Sequence, residues 1–300
     1  MTVLTVICLT YNHKDFILQA LESIKMQQTT FDFEVLIADD FSNDGSRELI
    51  IDFVEENKEK FLLIPSNENV GSSLNFMRAC RLVKSKYIAY LDGDDFWIYK
   101  FKLQEQFDVL ESDPSIAGCV HNAIRIDKYG NLLSSSYYLN KERLSLFDFY
   151  PYGVLCHSGS MFFRSIALKV LPKWVTYQTT DQILQLRIAQ FGDFYFIDKT
   201  YSVHRSHSGG VWSMTSKLKK DIEQFKRILI LYKYKAFKEY DEITVGVLAR
   251  ISYEIFVNED KNVSIWMNFK YGFLHCYFKR PFSVKRIIFV FLKSLRVIFR

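Results

Sequence analysis

Two apolar runs in this chain stop in acids: Ile37-Ala38-Asp39-Asp40 and Tyr90-Leu91-Asp92-Gly93-Asp94-Asp95. Carboxylates at this density are hard oxygen ligands, suited to Mg2+ or Mn2+ rather than to zinc. A site of this kind contributes one or two of them and leaves positions for phosphate oxygens. Three acids within four residues also repel one another, so the second cluster costs stability unless a cation neutralises it. A third apolar run, Thr2–Thr10, ends in Tyr11-Asn12. If each run is a strand, all three polar tips fall at carboxyl ends, which share one ligand-binding rim in an open parallel sheet. A lone acid pair after a strand is more often a cap or a turn; three tips on one rim argue for a ligand site.

The surrounding sequence supplies the alternation that such a rim needs. Thr2–Thr10 reads as a strand, and Lys14–Met26 carries Phe16, Ile17, Ala20, Leu21 and Ile24 at helical spacing. Phe33–Ala38 is a second strand, and Phe41–Ser46 has turn and cap chemistry before a helix reaching about Glu56. Phe61–Pro65, Gly71–Val83 and Tyr87–Leu91 follow as strand, helix and strand. This βαβαβαβ order predicts an α/β fold with a mostly parallel sheet and helices on both faces. Further on, Lys100–Glu111 is expected to be helical, Ile116–Ile126 a strand, and Asp127–Asn131 a turn into another extended piece. Gly159–Phe163 reads as a short buried strand and Asp181–Phe191 as a helix. After Trp212 the pattern is helical and basic, which suggests a catalytic domain over 1–212 and a helical C-terminal extension over 213–300.

Composition and missing motifs narrow the chemistry. With 49% hydrophobic and 16% aromatic residues in 300, the chain can bury a large core. Cys8, Cys80, Cys119, Cys156 and Cys276 show no metal-binding spacing and mostly sit in apolar runs, as reduced thiols of a cytoplasmic protein would. The start lacks the marks of a signal peptide, and no uncharged apolar run is long enough to span a membrane. No GxGxxG follows the first strand and no GxxxxGK[ST] occurs, which disfavours dinucleotide redox enzymes and P-loop NTPases. The second acidic cluster runs into Phe96-Trp97-Ile98-Tyr99, which breaks the EF-hand pattern. What remains is a phosphate-bearing nucleotide held through a divalent cation.

At this point the motifs resemble a known family. Leu9-Thr10-Tyr11-Asn12, Ala38-Asp39-Asp40-Phe41-Ser42-Asn43-Asp44-Gly45-Ser46, Asn69-Val70-Gly71-Ser72 and Leu91-Asp92-Gly93-Asp94-Asp95 are similar, in order and spacing, to family 2 glycosyltransferases of the GT-A, Rossmann-like fold. The resemblance is specific over roughly residues 1–110 and thins to about 212. It implies inverting transfer of a sugar from a nucleotide-activated donor, expected to be a UDP-sugar. It also implies that Thr10, Tyr11, Asn12, Asp40, Asn69, Gly71 and Asp92 bind the nucleotide, with Asp40 facing the base. Asp94, Asp95 and His207 would hold Mg2+ or Mn2+, and Arg205 would contact the diphosphate. The family's catalytic base corresponds to Asp181, within Thr179-Thr180-Asp181-Gln182; Thr180 departs from the family's Glu there, and Phe41 stands where a small residue is usual. By its register in His204-Arg205-Ser206-His207, His207 is favoured over His204, while His157-Ser158-Gly159-Ser160 reads equally as acceptor pocket or plain turn.

Charge is unevenly placed. From Lys261 onward there are nine Lys or Arg and no acid, which leaves the first 260 residues at −4 against a total of +5. Residues 262–300 interleave these cations with aromatic and aliphatic residues, a composition suited to an anionic membrane surface. The alternative is a helix packed on the catalytic domain. A nucleic-acid partner is not expected, because the body is acidic and no RNA motif occurs. The acceptor expected is a saccharide or a lipid-linked saccharide, and the place the cytoplasmic face of the cell membrane. Two other readings stay open: a sugar-phosphate nucleotidyltransferase, which would want a glycine-rich loop where Asn12-His13-Lys14 stands, and a non-catalytic saccharide-binding protein.

Overall fold

Strand β1 (Leu4–Thr10) is buried at each of its seven positions, as a strand covered on both faces must be. The computed structural model, which describes residues 2–134, 141–150, 156–172, 175, 181–207, 215–257 and 265–278, divides the chain into two units, Met1–His207 and Ser208–Arg300. In the first unit β1 pairs in parallel with β2 (Phe33–Asp39) on one side and with β4 (Tyr87–Asp92) on the other. Strand β3 (Phe61–Pro65) extends the sheet beyond β2. The chain therefore steps outward from β1 to β3 and then returns across β1 to form β4. That reversal opens a crevice beyond the carboxyl ends of β1 and β4, the ligand position of open α/β sheets. The register places Thr10 opposite Asp39 and Leu9 opposite Asp92, so the polar tips leave the sheet at one level.

The connecting helices follow the expected order: α1 (Ile17–Lys25), α2 (Ser46–Glu56) and α3 (Ser72–Cys80). The third is shorter than Gly71–Val83. Its N-cap is Gly71 at φ 83°, a backbone state that glycine adopts without the Cβ penalty of other residues. Beyond β4 come β5 (Phe96–Trp97), α4 (Lys102–Ser112), β6 (Ile116–Asp127), β7 (Leu132–Ser134), β8 (Arg143–Leu144) and α5 (Leu146–Phe149). They are followed by β9 (Phe162–Arg164), α6 (Ile166–Lys169), α7 (Asp181–Ala189) and β10 (Asp193–Ser206). The strand order is β3-β2-β1-β4-β9-β6-β10-β5, with β9 antiparallel to both β4 and β6, and β10 parallel to β6.

Two sequence expectations change here. Gly159–Phe163 is not one strand, because Ser158–Ser160 forms a tight 3-10 turn and extended pairing begins at Phe162. The long β10 was not foreseen at all. Its apolar alternation is interrupted at Asp198-Lys199, where the pairing with β6 shifts register between Ile197 and Thr200, and an irregular strand loses the period-2 signal. The core beneath the rim is built from Val6, Cys8, Ile17, Val35, Ile37, Tyr87, Leu91, Trp97 and Leu103. None of the five cysteines is in a disulfide among the described residues.

The second unit is helical, with α8 (Lys217–Lys233), α9 (Asp241–Val257) and α10 (Ile265–Phe278). Helix α8 starts at Ser216, whose Oγ accepts the Lys219 N–H. Leu248, Ile251, Ile255 and Phe256 of α9 are buried, and the Phe225 ring of α8 meets Tyr271 of α10 edge-on at 5.3 Å. No helix among the described residues is long and apolar enough to cross a membrane.

Gly192, between α7 and β10, has φ 152°, and a Cβ there would sit 2.2 Å from the Ser115 carbonyl oxygen. Backbone cannot yield as a flexible side chain can. Gly192→Ala is therefore expected to cost about 3 kcal/mol, lowering the melting temperature by roughly 6–12 °C. A melt within 2 °C of wild type would show that the turn relaxes freely.

Candidate active site

At the tip of β1, Thr10 is buried and its Oγ1 has no hydrogen-bond partner. Tyr11 is exposed. Asn12 takes φ 56°, a left-handed state that asparagine tolerates better than most residues. It is fixed there by two bonds to the loop after β2: its N–H donates to Ser42 Oγ at 2.9 Å, and its Oδ1 accepts the Asn43 N–H at 2.9 Å.

The two acids ending β2 have different tasks. Asp39 is fully buried and paired with Arg47 at 2.5 Å, so it holds the loop together. Asp40 accepts the N–H groups of Val70 (2.9 Å) and Gly71 (2.8 Å), and Asn69 Oδ1 shares the Gly71 N–H at 3.2 Å. Hydrogen bonds to a charged acceptor contribute about 1.5–3 kcal/mol each, so Asp40 ties the start of α3 to the rim. Thr10, Asn12, Asp40, Asn69 and Gly71 thus belong to one connected edge.

The loop after β4 carries the concentrated charge. Asp92 accepts from Tyr90 Oη at 2.6 Å and from Ser158 Oγ at 2.8 Å. Burial pushes its pKa well above the usual carboxylate range, and Asp94, Asp95 and Asp181 add to the rise. Asp95 is raised too, by burial first and then by Asp94. Asp94 goes the other way: burial opposes its ionisation, but the hydrogen bond from His207 and the nearby imidazole of His13 hold it at about 2. His207 Nε2 lies 3.0 Å and His13 Nε2 3.8 Å from Asp94 Oδ2. Burial lowers the His13 pKa, and the charge of Asp94 opposes that fall.

Asp95 stands with a different set from the one expected. Its oxygens take the Arg205 N–H at 2.7 Å and His157 Nε2 at 2.8 Å, and His157 stacks on His204 at 4.8 Å. Asp94 and Asp95 therefore have separate partner sets, His13 and His207 for the first, His157 and the Arg205 N–H for the second. The turn holding His157 and Ser158 is anchored by Trp97, whose Nε1 donates to the Gly159 carbonyl at 2.8 Å. Burial lowers the His157 pKa to about 4.

Arg205 was expected at the diphosphate. Its guanidinium lies over the rings of Phe16 (4.7 Å) and Phe96 (5.4 Å), donating to Gln19 Oε1 at 2.6 Å and the Asp94 carbonyl at 3.1 Å. This makes it a brace for the acidic loop. Asp181 opens α7 and is exposed. Its charge is felt at Asp92, Tyr90 and His157, which places it beside the acidic loop. Thr179 and Thr180 lie outside the described residues. Sequence reasoning passed over Tyr90 and used His13 only as evidence against a glycine-rich loop; neither has a spacing that marks it in one dimension.

Among the described residues two groups can converge on a cation: His13, Asp94 and His207, and Asp95, His157 and His204, with ligand atoms in each within 4.8 Å of one another. In the second, Asp95 is already satisfied by His157 and the Arg205 N–H. The first is half-buried and reachable, and one carboxylate with two imidazoles fits a divalent cation.

The family model described as glycosyl transferase family 2 matches residues 5–171. An uncharacterized protein of Mycobacterium tuberculosis strain H37Rv is 26% identical over 215 residues, 70% of this chain and 60% of that protein. The chain therefore spans about 60% of the length of the first such relatives. Escherichia coli chondroitin synthase is 29% identical over 194 residues, covering 63% of this chain and 27% of the synthase. Among solved structures, S. aureus TarS 1–349 in complex with UDP-GlcNAc superposes with a TM-score of 0.68 at 15% identity, covering 99% of this chain and 89% of that one. That likeness is one of fold.

Cation binding is expected to raise thermal stability, by about 2.7 kcal/mol at a hundredfold excess over Kd. Without a cation, the raised pKa of Asp92 means that its contribution to stability is present at low pH and lost as pH rises through the folded value. A cation reverses that loss and binds best when His13 and the acids are unprotonated. The Mn2+-induced shift in melting temperature should thus grow from pH 5 to pH 8. A shift independent of pH would place the cation elsewhere.

Proposed function

Because the chain belongs to glycosyl transferase family 2, we propose that it transfers a sugar, with inversion, from a UDP-sugar to a hydroxyl of a saccharide or lipid-linked saccharide. The observation that carries the reading is the gathering of the tips of β1, β2 and β4 at the sheet's switch point, with the charge of Asp181 raising the pKa of Asp92. Asp40, with Asn69 and Gly71, forms the edge for the nucleoside, and Thr10 offers an unused buried hydroxyl beside it. Asp92 is the group for the ribose side. Asp94 and His207 would hold Mg2+ or Mn2+, which offsets charge on a departing diphosphate when bound. The relatives support a polysaccharide acceptor: one is a chondroitin synthase.

Asp181 is exposed at the first turn of α7, where the helix N-terminus favours its ionised form. An ionised carboxylate open to solvent can accept the proton of an incoming hydroxyl. A raised pKa on Asp92 suits the neighbouring acid to hydrogen bonding rather than proton abstraction. Residues 1–212 form the catalytic part in this reading. The extension 213–300 reaches an anionic membrane through its basic, apolar end, so the enzyme works at the inner face of the cell membrane.

A donor screen that measures nucleoside diphosphate release with and without Mn2+ tests the activity. Asp181→Asn should lower kcat by about 10²–10⁴ while leaving UDP affinity within twofold. An unchanged kcat removes Asp181 as the base, and lost UDP binding makes it a structural residue. The membrane reading predicts that deleting 262–300 abolishes sedimentation with vesicles containing phosphatidylserine and leaves the melt of the first unit intact. Undiminished sedimentation overturns it.

A further inference from the structure

One imidazole at this rim is left without a task by the proposed function. His13 follows Asn12 in the turn between β1 and α1, and its carbonyl accepts the N–H groups of Phe16 and Ile17, which starts the helix. Its ring is half-buried against the acidic loop. Nε2 faces Asp94 Oδ2 at 3.8 Å, on the oxygen that His207 approaches at 3.0 Å. The two imidazoles stand edge to face at 6.1 Å, and Phe16 packs on His207 at 5.0 Å. Nδ1 of His13 has no hydrogen-bond partner.

Gly93 makes this placement feasible. A Cβ there would come within 3.0 Å of His13 Nδ1 and 2.9 Å of the Thr10 Cβ. A side chain between Asp92 and Asp94 would crowd Thr10, His13 and Ile17, so the imidazole would have to shift. The middle of the acidic motif is therefore shaped around this imidazole.

We infer that His13 is a third protein ligand to the cation held by Asp94 and His207, and that the resulting two-nitrogen, one-oxygen set selects Mn2+ over Mg2+. This rests on the reading of that cluster as the cation site and goes beyond it in ligand number and metal choice. Mg2+ binds oxygen ligands and sheds water reluctantly; Mn2+, although the weakest binder of the first-row series that prefers nitrogen ligands, exchanges water for imidazole more readily than Mg2+ does. A site with one carboxylate and two imidazoles gives Mg2+ little to prefer over its own hydration shell.

The test uses the full chain and Mn2+ alone. Electron spin-echo modulation from ¹⁴N counts the imidazoles bound to Mn2+, and titration of the free Mn2+ signal, with Mg2+ as competitor, gives both affinities. The expected result is two imidazoles in the wild type and one in His13→Gln. That variant should lose at least tenfold in Mn2+ affinity and change less than twofold for Mg2+. A single imidazole in the wild type overturns the role of His13 while leaving the cation site and the proposed function standing. No bound Mn2+ at millimolar concentration overturns both. Because the wild-type count decides the matter, poor folding of the variant does not leave it open.

Discussion

The fold around the acidic loop is organised by electrostatic repulsion. Asp92, Asp94 and Asp95 leave β4 within four residues, and Asp181 adds a fourth negative charge beside them. Left alone, such a group would open the loop or take up protons. Each acid instead has its own partners: Tyr90 and Ser158 for Asp92, the imidazoles of His13 and His207 for Asp94, His157 and the Arg205 N–H for Asp95. These come from four separate stretches of chain, so the site is a point where distant elements are tied together. The pKa values diverge accordingly, upward for Asp92 and Asp95 and down to about 2 for Asp94. Environment, rather than residue type, separates an acid held ionised from neighbours whose ionisation is opposed.

Several residues that look functional in sequence turn out to be supports. Asp39 serves Arg47, and Arg205 is clasped by two aromatic rings and Gln19. Their burial still matters to chemistry, because a ligand is only as well placed as its bracing. Arg205 is informative in this respect. It touches Asp94 through that residue's carbonyl and Asp95 through its own N–H, and so fixes the loop that carries both carboxylates.

Much of the first unit was legible because its signals are local. The runs ending at Thr10, Asp39 and Asp92 are continuous and apolar, and the turn residues between them are unambiguous, so the alternation of strands and helices emerges with boundaries off by a few residues. Past residue 112 the signals weaken. Strand β9 is three residues long, and β10 carries a register shift; neither gives a clean period. His204 and Arg205 therefore looked like loop residues although they lie in a strand.

The sequence by itself determined the first four strands and that the polar tips of β1, β2 and β4 gather at one rim, because burial periodicity and turn chemistry act over a few residues. Its motifs also carried the family. Tertiary structure alone decided how the acids are divided. Asp94 joins His13 and His207, Asp95 joins His157 and His204, and Asp40 binds the backbone of the α3 entry. The reason is physical: a pKa and a ligand set depend on distances between groups separated by up to 194 positions, from His13 to His207, and packing fixes those distances while spacing along the chain does not.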